Sequence, residues 1–205
     1  MTNRIENWIG SAYSSRYCPP ELEDVPFHRG KNRSYLWQIG SPLTPTQTWA
    51  EFGVGSGNSA QCLSQYLSEH GQFFLFDSWE GIPEPWKLGD RLTEPAGRWK
   101  FKKWTTLDPR FTFVDGWYED TLPFVFPEQL GLVHIDCDVY SSTRTVLRGI
   151  ENWIGSGTVL IFDELWGYQY YADHEYRALK EWQEEFGHEI EWMGRTTFEA
   201  VGVIR

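Results

Sequence analysis

Apolar residues along this chain fall into short, nearly unbroken blocks, separated by stretches where they recur every three or four positions. The blocks at about 48–52, 73–76, 111–114, 132–135 and 159–162 are too short for buried helices. They are apolar at most positions, unbroken at 73–76 and 159–162, as expected of strands covered on both faces of a parallel sheet. Between them, Ala60, Leu63 and Leu67 share one helical face, with Asn58 or Ser59 as the cap and Gly71 as the stop. Val146, Leu147, Ile150 and Ile154 form a second face, capped by Ser141 and Ser142 and ended by Gly155 and Gly157. A third covers about 175–186 through Tyr176, Leu179, Trp182 and Phe186. Two closing segments, about 188–193 and 198–204, fit an antiparallel pair at a sheet edge. The pattern predicts an α/β fold: a doubly wound, mostly parallel seven-stranded sheet with an antiparallel C-terminal edge.

Two segments break that alternation. Residues 1–47 read as an N-terminal helix and an irregular lead broken at Pro19, Pro20, Pro26, Pro42 and Pro45, which leaves 48–205 as the sheet domain. Residues 78–110 form a long connection that holds Pro83, Pro85, Pro95 and Pro109 as well as Trp86, Trp99 and Trp104. Such connections are lids, binding surfaces or disordered, and the tryptophans and basic residues argue for a lid-like insertion. The heptapeptide IENWIGS occurs at 5–11 and again at 150–156. One recurrence is no solenoid period, and both copies read as helix ends capped by Gly10 and Gly155.

Composition removes several function classes. A net charge of −11 over 205 residues, with no basic stripe, disfavours a phosphate-backbone partner, so no nucleic acid is expected. No charged-then-apolar leader opens the chain, and no apolar run approaches the ~18 residues of a membrane span. Cys18, Cys62 and Cys137 lack C-x-x-C spacing and read as thiols in a reducing compartment. A cytoplasmic protein without membrane contact is the expectation. Aromatic content is 17% with 12 Trp, and any of these at the surface would suit a homodimer interface.

The candidate chemistry lies where strands end. Residues 51–59 read EFGVGSGNS, an acidic lead-in to three alternating glycines and a polar helix start, and about twenty residues later an apolar run delivers Asp77. Glycines let the backbone approach a ligand, the helix start presents free N–H groups, and an acid after the second strand suits ribose hydroxyls. The dinucleotide fingerprint would need glycine where Asn58 stands; E-x-G-x-G-x-G instead resembles motif I of S-adenosylmethionine (SAM)-dependent methyltransferases. Asp136, Asp138, Asp163 and Glu164 also follow strands. For Asp136, Asp163 and Glu164, which come from neighbouring strands with no basic residue beside them, a shared hard cation such as Mg²⁺ or Ca²⁺ is expected. Asp138 reads as a helix cap.

Four further segments, FDSWEGIP at 76–83, GWYEDTLP at 116–123, HIDCDVYSST at 134–143 and FDE at 162–164, follow one another as in the macrocin O-methyltransferase (TylF-like) family. The resemblance covers about 48–205 and implies a class I methyltransferase fold and Mg²⁺-dependent methylation of a hydroxyl on a small molecule, often a natural-product sugar. Carried over by motif, Glu51, Gly53, Gly55, Ser56, Gly57, Ser59, Asp77 and Ser78 would hold SAM, and Gly116 and Trp117 would lie at the adenine. Asp136, Asp163 and Glu164 would hold the metal, with Asp136 also receiving the hydroxyl proton. His134 reads as a buried structural histidine, and His174 lies at the site's margin. Two departures concern acceptor enclosure: the lead before the first strand is short and proline-broken, and 86–110 shows no clear helix. The competing expectations are a metal-independent methyltransferase, a non-catalytic SAM- or metal-binding protein, and a nicotinamide-dependent oxidoreductase or epimerase. The last lacks a Tyr-x-x-x-Lys pair, since Leu122 and Arg144 follow Tyr118 and Tyr140.

Overall fold

The computed structural model describes residues 15–30 and 32–205. The expected N-terminal helix and the first heptapeptide copy lie outside the described residues.

Five parallel strands, β1 (Thr48–Phe52), β2 (Gln72–Asp77), β5 (Phe111–Asp115), β6 (Leu132–Ile135) and β7 (Val159–Phe162), form the body of a seven-stranded sheet. Its order is β5-β2-β1-β6-β7-β9-β8, closed by β9 (Ala200–Ile204), antiparallel to both β7 and β8 (Ile190–Arg195). Alternation along each strand divides the core in two. Ala50, Phe52, Phe74, Phe76, Val133 and Ile135 face α5 (Tyr140–Gly149) and α6 (Glu175–Phe186). Trp49, Phe73, Leu75 and Leu132 face α2 (Ser34–Gly40) and α3 (Asn58–Leu63). Both faces of the central strands β1, β6 and β7 are therefore buried, while the edge strand β5 is partly exposed. The lead is part of this core: Leu22 in α1 (Pro20–Glu23) and Leu36 in α2 are fully buried. Among the described residues, no helix is long and apolar enough to cross a membrane.

Several local readings change. Helix α3 starts after Gly57, whose φ of 77° turns the chain without a side-chain cap, and it stops at Leu63 rather than near Gly71. Past that end, Arg110 donates to the carbonyls of Ser64 and Leu67, both at 3.0 Å. Helix α5 takes no cap from its own serines; the Glu84 carboxylate accepts from the Ser141 amide (3.3 Å) and hydroxyl (2.8 Å). It ends at Gly149, and Ile150–Ser156 continues through a 3₁₀ turn, so Gly155 is not its stop.

The insertion is more ordered than a plain loop. A hairpin of β3 (Trp86–Gly89) and β4 (Leu92–Glu94) forms a second sheet. Trp86, 2% exposed, packs edge-on against Tyr168 and joins Ile82, Leu88, Val139 and Phe198 in a third core cluster. Trp37, Trp49, Trp166 and Trp182 are also buried, and Trp117 is the one described tryptophan among the exposed large apolar residues. These five buried tryptophans therefore serve interior packing. Trp86→Ala should cost about 3–5 kcal/mol in urea unfolding, as for a fully packed indole. A loss under about 1 kcal/mol would mean that the hairpin is peripheral to the fold.

Candidate active site

The carboxyl ends of β1, β2, β5, β6 and β7 open on one cavity of about 560 Å³. Chain β1 leaves the sheet at Gly53, whose amide donates to Phe76 O at 3.0 Å. Its φ is 93°, and a Cβ there would stand 1.8 Å from the Asp136 carbonyl oxygen. Only glycine lets the turn pass so close to the end of β6. The glycine turn and the acid after β6 are thus neighbours by backbone contact.

Asp77 braces this turn. Its Oδ2 accepts from the amides of Val54 (2.9 Å) and Gly55 (2.8 Å), and its Oδ1 accepts from Trp79 N (2.6 Å). A carboxylate offers about four lone-pair sites, so Oδ1 keeps one for a further donor. Gly53, Gly55, Ser56, Ser59, Asp77, Ser78, Gly116 and Trp117 all line the cavity. Gly57 does not: the Trp104 ring covers it so tightly that a Cβ would lie 2.3 Å away. Phe101 similarly packs over Gly55. The insertion therefore lies directly on the glycine turn.

Glu51 is a correction. It is fully buried behind the turn, outside the cavity lining, and its Oε1 meets His134 Nδ1 at 2.9 Å. The β1–β6 register places Glu51 beside His134, so the strand pairing itself brings carboxylate and imidazole together. His134 Nε2 in turn faces Asp163 Oδ1 at 3.8 Å. Burial would depress the imidazole, but Asp163 and Glu51 outweigh it and raise His134 from 6.5 to about 10. His134 is thus the buried structural residue expected. His174 hydrogen-bonds the Lys87 carbonyl (3.1 Å) and stays out of the cavity lining.

The acids converge. Asp136 and Asp163 follow adjacent strands, their amides extending the ladder to Phe52 O and Ile135 O, both at 2.9 Å. Carboxylate oxygens of Asp136, Asp138 and Glu164 lie within 4.8 Å of one another, close enough to share a cation. Asp138 was legible only as a cap in the sequence. Here it is buried with φ 62°, and Glu175 Oε1 accepts its amide (3.2 Å) and that of Cys137 (3.0 Å). Its two-residue spacing from Asp136 is the one sequence signal it offered. Asp163 joins the group differently: its Oδ2 takes an ion pair from Arg33 Nη1, which also faces Asp136 Oδ2 at 3.4 Å.

Charge crowding sets the titration. Burial, then Asp163, raises Asp136 from 3.8 to about 7. Desolvation and neighbouring acids raise Asp138 and Glu164 well above their ordinary values. Asp163 runs the other way: burial would raise it, but Arg33 and His134 hold it near 2. Oxygen Glu164 Oε2 is buried with no hydrogen-bond donor. An oxygen-only set with unanswered negative charge suits a hard divalent cation.

The comparisons with known proteins agree with this architecture. A family model described as a methyltransferase domain matches residues 50–165. The chain is 29% identical over 133 residues to the 8-demethyl-8-(2,3-dimethoxy-alpha-L-rhamnosyl)-tetracenomycin-C 4'-O-methyltransferase of Streptomyces olivaceus. It is 28% identical over 133 residues to the demethyldecarbamoylnovobiocin O-methyltransferase of Streptomyces niveus. Each alignment covers 56% of this chain and 51% of the relative, so the chain spans about half the length of the curated relatives it matches. In fold it is similar to the O-methyltransferase NovP, with a TM-score of 0.65 at 18% identity over 83% of this chain and 78% of that one.

The raised His134 yields a pH prediction. Its folded value lies above the ordinary 6.5, so its stabilising contribution is fully present below pH 6.5 and is lost as pH rises through about 10. The stability difference between wild type and His134→Gln, read by urea unfolding of metal-free protein, should be largest near about pH 6 and decline towards about pH 10. A pH-independent difference would rule out the charged imidazole.

Proposed function

This chain belongs to the methyltransferase-domain family, and we propose that it transfers the methyl group of SAM to a hydroxyl of a small molecule, with a natural-product sugar as the acceptor class. The observation that carries this reading is a single cavity with a glycine turn braced by Asp77 on one side and an oxygen-rich acid cluster on the other. The curated relatives are named as O-methyltransferases, one of them for a rhamnosyl substrate, which supports both hydroxyl and sugar. The four TylF-like segments each contribute a residue to the cavity wall, which supports that finer family assignment. The nicotinamide alternative keeps no support beyond a glycine-rich turn.

The methyl donor arrives activated, so the protein's tasks are alignment and proton removal. Holding oxygen, methyl and sulfur in line can contribute roughly 7–11 kcal/mol at best. Ser56, Ser59, the turn amides, and the free lone pair of Asp77 Oδ1 would hold the donor, with Gly116 and Trp117 beside its base. Phe101 and Trp104 pack against the turn at Gly55 and Gly57. Asp136, Asp138 and Glu164 would hold a Mg²⁺-type ion, with Asp163 alongside; when bound, such an ion acidifies and orients a ligating hydroxyl. Asp136 would receive the proton: it lines the cavity at the end of β6, with its side chain about a quarter exposed there. A metal-independent version of the reaction has one observation in its favour, because Arg33 already partly neutralises the cluster.

Transfer of labelled methyl from SAM to glycosylated acceptors should stop in EDTA and return with Mg²⁺. Asp136→Asn should lower kcat by roughly 10²–10⁴-fold, the range for a lost acid–base group. Full turnover in EDTA would remove the ion from the mechanism, and absence of SAM binding by calorimetry would remove the donor.

A further inference from the structure

The acid cluster contains a cation of its own. Arg33 lies at the start of α2, separated from Asp136 and Asp163 by 103 and 130 residues of sequence. Its Nη1 pairs with Asp163 Oδ2 and faces Asp136 Oδ2 at 3.4 Å, while its guanidinium lies over the Trp37 ring at 5.8 Å. Asp136 belongs to the trio whose oxygens lie within 4.8 Å of one another. One carboxylate therefore faces both the arginine and the position a divalent ion would take. An ion there would bring two positive units to within a few ångströms of a guanidinium in a poorly screened pocket. Arginine cannot relieve that repulsion by losing its proton. Its long side chain is 27% exposed and springs from a short helix start, so withdrawal is open to it.

We propose that Arg33 is a built-in counter-cation that occupies the carboxylate cluster before a divalent ion binds and is displaced by it, thereby setting the affinity threshold of the site. The inference rests on the cation reading given under the proposed function. It assigns Arg33 two opposed effects. In metal-free protein the guanidinium offsets repulsion among Asp136, Asp163 and Glu164 and so stabilises the fold. Towards the ion it is a competitor, and its loss tightens binding. A residue that merely shaped the pocket would not couple these two effects with opposite sign.

Mn²⁺ titration calorimetry on wild type, Arg33→Gln and Arg33→Lys, paired with thermal melts in EDTA and in saturating Mn²⁺, tests this. Arg33→Gln should bind Mn²⁺ roughly tenfold or more tightly than wild type, since a competing positive charge is gone. It should melt below wild type in EDTA, with the gap closing in Mn²⁺, while Arg33→Lys keeps the charge and should track wild type. Equal or weaker Mn²⁺ binding by Arg33→Gln, with wild-type binding intact, overturns the proposal and leaves the cation reading standing. Absence of Mn²⁺ binding by both wild type and Arg33→Gln overturns the two together. Hydrogen exchange on the wild type gives a check independent of any variant's folding: amides at 32–37 should exchange faster with Mn²⁺ bound, and unchanged or slower exchange overturns displacement.

Discussion

Negative charge collected at one edge of a sheet is the constraint around which the rest of the molecule is arranged. Asp136, Asp138, Asp163 and Glu164 follow β6 and β7 and line one cavity together with Glu199, and Glu175 is buried behind them. Isolated buried carboxylates are expensive, and they persist only when paired, hydrogen-bonded or protonated. All three solutions are present. Asp163 is paired with Arg33, Glu175 accepts two backbone amides, and Asp136, Asp138, Glu164, Glu175 and Glu199 are all shifted upward, first by burial.

The same pressure organises the layer behind the cavity. Glu51, His134, Asp163 and Arg33 alternate in sign from the interior of β1 outward, and Trp37 lies edge-on to the imidazole and beneath the guanidinium. This row ties the lead segment to the sheet edge through charge as well as through the apolar burial of Leu36 and Trp37. It also explains why a motif position expected at a ligand is spent on internal electrostatics. Glu51 faces the α2–α3 side by strand alternation, and His134 is its register partner.

Above the cavity, aromatic packing supplies what the strands lack. The β3–β4 hairpin is too small to be stable alone and is held by Trp86 against Tyr168 and Phe198. Beyond it the chain returns with Phe101 and Trp104 over two glycines that no larger residue could replace without displacing those rings.

The five parallel strands, the closing helix and the acids at the strand ends were legible because each depends on local pattern: apolar blocks of strand length, one apolar helical face, a carboxylate one residue past a strand. The glycine turn was legible for the same reason, since a positive φ and a close backbone approach demand the residue type wherever they occur. Which acids meet was not legible. Asp138 reads locally as a cap, and only the left-handed turn held by Glu175, 37 residues further on, aims it into the cluster. Arg33 left no trace near its partners, because an ion pair spanning more than a hundred residues exists only once α2 has docked on the sheet. Sequence alone determined the strands, the turn and the inventory of charges. Tertiary structure decided their pairing, because coulombic and hydrogen-bond partners are chosen by distance in space, which strand register and helix docking set.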